Sequence, residues 1–162
     1  MIKKIKLLSF LILGIFLSQC SSDPVQKDLI NYINVEIPKV SALETEAVDA
    51  FQSVAGANYT SDSAMSEKMK SVVVPKYNEF NTKLQAIVPA TEEVKKIHGE
   101  YVEAAKDQME AFNLIVDAIE KQNMDEVKKA NEDLKKAITL VESWKKDLME
   151  TCKAHNVTMD GK

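Results

Sequence analysis

The chain has 162 residues, with 21 basic against 25 acidic side chains and a formal net charge of −4. Every base is a lysine, so the planar, forked recognition of phosphate or carboxylate that arginine supplies is excluded. Two cysteines, four glycines and four prolines exclude a disulfide framework, and the abundance of Ala, Glu, Lys, Leu and Val predicts a mainly helical chain held by core packing.

In chain order, the first element is MIKKIKLLSFLILGIFLSQC. Lys3, Lys4 and Lys6 precede an uncharged, largely apolar run from Leu7 to Leu17, the layout of a secretory signal peptide and too short to span a bilayer as a helix. The run ends in Leu17-Ser18-Gln19-Cys20, which resembles the lipobox of bacterial lipoproteins, with Gln19 where a small residue is usual. That resemblance implies export across the cytoplasmic membrane, removal of residues 1–19, and acylation of Cys20 as a membrane anchor in a bacterial cell envelope. Residues 20–23 then form a short tether, 24–156 a helical domain and 157–162 a tail. Residues 1–19 hold three of the bases and none of the acids, so the remainder carries 18 against 25, a net charge of −7. Nucleic acid is therefore not expected as a partner.

The first helix is expected over 23–55, with Asp23 or Ser22 as its cap and Pro24 at its first position, where the missing amide hydrogen costs nothing. Its apolar stripe (Val25, Leu29, Ile33, Ile37, Val40, Ala47, Phe51, Val54) keeps phase through Pro38, which predicts one long helix kinked there. Gly56 stops it, and residues 56–63 form a loop. A second helix, 62–88, runs on Met65, Met69, Val73, Phe80, Leu84 and Ile87, with a kink at Pro75; a three-helix arrangement with this stretch partly unwound is the alternative. Thr91 caps a third, 91–122, on Ile97, Tyr101, Ala105, Gln108, Phe112, Ile115 and Ile119. After the turn Asn123-Met124, Asp125 caps a fourth, 125–156, whose stripe from Val127 through Leu134, Val141, Trp144 and Leu148 steps by three and four. Short connections between helices of this length predict an antiparallel up-down four-helix bundle, roughly 40 to 48 Å long at 1.5 Å per residue. No motif repeats evidently among the four. Trp144 is expected to be buried at mid-height, level with Ala104, Ala105 and the two prolines.

Few residues suggest chemistry. Carboxylate-bridged metal bundles use Glu-x-x-His, and Lys95 and Cys152 occupy the glutamate positions before His98 and His155. Folding the last two helices together brings His98, Cys152 and His155 near one another, three ligands at most and without a spacing motif, so a metal is the lesser reading and no cofactor is expected. Cys152 flanks an apolar seam and reads as a buried structural thiol, and Met65, Met69 and Met109 read as core. Asn58-Tyr59-Thr60 and Asn156-Val157-Thr158 read as loop and tail. No paired carboxylates, Ser/His/Asp set or phosphate loop suggests catalysis.

The domain resembles the small helical-bundle lipoproteins of bacterial envelopes. The expectation is a lipid-anchored, non-enzymatic protein that engages another envelope or extracellular component, with Tyr59 and Met124 at the tip far from the membrane as contact residues. The alternative is a binding protein that holds a small apolar or metal ligand between its helices.

Overall fold

A computed structural model describes residues 23–158; the signal run, the lipobox and Cys20 lie outside the described residues. The described chain is all-helical, and no strand occurs in it. Its elements are α1 (Pro24–Asn31), a π-helical turn (Tyr32–Glu36), α2 (Pro38–Gln52), a 3-10 turn (Gly56–Asn58), α3 (Asp62–Lys68), a second π-helical turn (Met69–Val73), α4 (Val74–Gln85), α5 (Glu92–Glu120) and α6 (Met124–Ala154).

Asp23 caps α1 as expected, its Oδ1 accepting from the amides of Val25 and Gln26 at 2.9 and 3.2 Å, with Pro24 leading the helix. The stretches expected as two kinked helices are each divided by a π-helical turn. In both, the residue just before the proline bonds five residues back: the Ile37 amide to the Tyr32 carbonyl and the Val74 amide to the Met69 carbonyl. Proline cannot donate, and its ring clashes with the carbonyl four residues earlier; a wider turn upstream moves that carbonyl aside and lets the helix resume. The two devices stand 37 residues apart in sequence, Ile37-Pro38-Lys39 matching Val74-Pro75-Lys76, so the two prolines are built in the same way.

Two caps differ from expectation. Asn123, not Asp125, caps α6, because its short amide reaches the amides of Asp125 and Glu126 while Asp125 already lies in the helical first turn. Thr91 precedes α5 without a side-chain capping bond; its amide and hydroxyl both donate to Asp28 Oδ2 at 2.7 Å, tying the start of α5 to α1. Lys136 pairs with Asp133 at 2.7 Å, whereas the i, i+4 spacing suggests Glu132.

The longest packed seam joins α5 to α6; α2 packs on α4 and α4 on α5, while α2 and α6 meet only sparsely. Ala104, Ala105, Ala111 and Ala118 on α5 face inward with Ala130 and Ala137 on α6, leaving room for large neighbours to interdigitate. Aromatic rings run through the core from α2 to α6: Phe51 on Phe112, Phe112 on Tyr77, Tyr77 on Phe80, Phe80 on Tyr101, and Tyr101 stacked on Trp144 with centroids 3.8 Å apart. Trp144 is buried as expected. Met69 is fully buried, with Met65 and Met109 packed against the same cluster. Among the described residues the packed core runs from Val25 to Val157.

Candidate functional site

Asp23 at the start of α1, Glu93 in the first turn of α5 and His155 just after α6 meet at one end of the molecule. His155 Nδ1 lies 2.7 Å from Asp23 Oδ2 and its Nε2 3.2 Å from Glu93 Oε1. The hydrogen bond to Asp23, then that to Glu93, raises the imidazole above its ordinary value, and the same His155 contact holds the Asp23 carboxyl below its own. Gln26 adds a bond from Nε2 to the His155 carbonyl at 2.9 Å. Both imidazole nitrogens are thus committed to carboxylates on opposite sides, an arrangement that ties three chain segments together.

His98 and Cys152 do not share that cluster. His98 is buried, with Nδ1 3.1 Å from the Tyr32 hydroxyl, and desolvation lowers its basicity. Cys152 is a buried free thiol that burial pushes up. Among the described residues no group of three His, Cys, Asp or Glu side chains is arranged to hold a metal ion. Near the opposite end, marked by the Lys70–Glu120 ion pair, Tyr59 is half-exposed with its hydroxyl bonded to Asp62 Oδ1 at 2.8 Å, and Met124 is 71% exposed.

An apolar-lined opening lies between α2 and α6. A groove of about 390 Å³ opens there, walled on one side by Glu44, Thr45, Val48, Asp49, Phe51 and Gln52 and on the other by Leu134, Ile138, Val141 and Lys145. Its floor is Gln108 and Phe112 of α5. The contacts Glu44–Tyr101 and Phe51–Phe112 run in the same sense along both chains, so α2 and α5 are parallel and the groove has a lower end at Glu44 and Lys145 and an upper end at Phe51, Phe112 and Leu134. Gln108 lies between them on the groove floor, only 6% exposed. At the lower end Glu44 Oε2 accepts from the Tyr101 hydroxyl at 2.6 Å; burial raises the Glu44 carboxyl, offset in part by that bond and by Lys145. Lys145 is not within ion-pair distance of Glu44.

Sequence reasoning missed this groove. It placed Trp144 buried at mid-height, where the indole stacks on Tyr101 and its Nε1 lies toward the Tyr32 hydroxyl without a hydrogen bond of normal geometry. One signal was present: Gln108 interrupts the apolar stripe of the third expected helix, and a glutamine on a core face needs a partner. Comparison of the chain with protein-family models, curated proteins and solved structures gives no match.

Proposed function

We propose that this chain is an exported, lipid-anchored binding protein, an antiparallel up-down four-helix bundle whose seam between α2 and α6 stays open to take a small, largely apolar ligand. The four helical lengths are α1 with α2, α3 with α4, α5, and α6. The observation that carries the reading is the groove itself, with Phe112 and Gln108 on its floor between the apolar side chains of α2 and α6. Its volume falls within the range of about 300 to 1,000 Å³ typical of ligand sites, and its lining is the usual mixture of apolar wall and a few convergent polar groups. The reading is of a binder and not an enzyme: the carboxylate at the groove's lower end is already held by a tyrosine hydroxyl.

The anchor follows from Cys20. The cluster at Asp23 brings the start of α1, the start of α5 and the end of α6 to one end, and four extended residues reach at most about 14 Å, so this end would face the bilayer. Cys20→Ser should abolish lipid labelling and release the protein or leave its signal uncleaved. For the groove, a dye that brightens in apolar surroundings should bind the chain from Ser21 onward, and Ile138→Trp, which fills the groove from its rim, should remove that signal without lowering the melting temperature. Undiminished dye binding to that variant would place the ligand elsewhere.

A second reading, contact with an envelope protein at the far end, is favoured by the exposure of Met124. Alanine at Tyr59 and Met124 should then erase a cross-link formed in the native cell.

A further inference from the structure

Within the groove reading, on which this inference rests, the ligand's chemistry can be narrowed. We propose that the groove takes an amphiphilic amine, with its ammonium head against the Glu44 carboxylate and its apolar chain running past Val48 and Val141 toward Phe51 and Phe112.

Glu44 is the polar group that a ligand entering the lower end must satisfy. Its Oε2 is occupied by Tyr101, and among the described residues Oε1 has no hydrogen-bond partner. A ligand that displaces water from this carboxylate without replacing the lost hydrogen bonds would leave a charge desolvated, at a steep cost. An ammonium replaces them with charge-assisted bonds, whereas an anionic head would meet both Glu44 and Asp49. Lys145 is the one cation in the lining, but it is exposed at the rim, forms no ion pair with Glu44, and can turn to solvent. The net negative charge of the chain also favours the approach of a cation.

The length fits as well. From Glu44 to Phe51 is seven residues of α2, about 10 Å along the helix, comparable to an extended eight-carbon chain. Phe51 and Phe112, with centroids 5.1 Å apart, close the far end with apolar surface. Gln108, midway, can donate to or accept from any polar atom the chain carries. A diacyl lipid with an ethanolamine head would offer the same ammonium, but its phosphate would stand beside Glu44 and Asp49; a free amine is the better match.

The test is calorimetric titration of the chain from Ser21 onward with octylammonium, 1-octanol and octanoate, each below its aggregation concentration. Octylammonium is expected to bind about tenfold or more tighter than octanol, the margin of a charge-assisted hydrogen bond over a neutral one, with octanoate weakest. Glu44→Gln should bring octylammonium down to the affinity of octanol while octanol binding persists, which shows the variant to be folded. Equal binding of the amine and the alcohol, unchanged in Glu44→Gln, would overturn the assignment of the head group and leave the groove reading standing. If none of the three binds, the groove reading fails and this inference with it. Dihexanoyl phosphatidylethanolamine binding as tightly as octylammonium would overturn the assignment to a free amine.

Discussion

Gln108 is the polar residue on the floor of the groove between α2 and α6. It sits on α5 between Ala104, Ala105 and Ala111, all fully buried, and is itself only 6% exposed. Leucine has a similar volume, so Gln108→Leu should leave the unfolding free energy in urea unchanged to within about 1 kcal/mol. A fall in stability would mean that the amide is part of the core's own hydrogen bonding. Gln108 stood in the sequence as one polar member of an apolar stripe, legible as an anomaly; Glu44 was not, because nothing in its neighbourhood of Leu43 and Thr45 distinguishes it from a solvated face. Its burial comes from Tyr101, 57 positions away, whose hydroxyl reaches it across the core.

The prolines show how an element can be read correctly in extent and wrongly in form. Apolar periodicity carried both stretches through Pro38 and Pro75, and both are helical on either side. Periodicity is too coarse to reveal a π-helical turn, which adds one residue and shifts the face by about a quarter turn. The turn is a response to the proline, so the two should be energetically coupled. Deleting Val35, an exposed residue of the first π-helical turn, restores α-helical spacing and brings the Pro38 ring back against the carbonyl before it. The deletion should therefore cost about 3 kcal/mol more with Pro38 present than in a Pro38→Ala background, measured as a double-mutant cycle in denaturant. Equal costs in the two backgrounds would show that the turn has another origin. The helix ends were legible from caps and turns to within a few residues; of the two caps misread, a distant side chain intervened at Thr91, which bonds Asp28, and a neighbour took the role at α6, where Asn123 caps in place of Asp125.

Across the molecule, the cluster of Asp23, Glu93 and His155 links the start of the fold to its finish and makes stability depend on pH. His155 is raised in the folded state, so its contribution is fully present below the unfolded value of about 6.5 and is lost as pH rises through the higher folded value. Asp23 is lowered, so its contribution is present above the unfolded value of about 3.9 and is lost as pH falls through the lower folded one. The melting-temperature difference between the wild type and His155→Gln should be greatest from about pH 4 to 6 and shrink above about pH 7. A difference that stays constant from pH 5 to 9 would show that the imidazole does not bridge these carboxylates in solution.

Above this end α2 and α6 stay apart, while four rings of the core pack between α4 and α5: Tyr77 and Phe80 on one, Tyr101 and Phe112 on the other. Whether that opening is a binding site is decided most directly by mapping amide and methyl chemical shifts of the chain from Ser21 onward as octylammonium is added. Saturable shifts concentrated at Val48, Gln108, Phe112, Ile138 and Val141, with Met124 and Tyr59 unmoved, are the expected result. Shifts that never saturate, or that gather at the far end while the groove residues stay still, would contradict a ligand between α2 and α6.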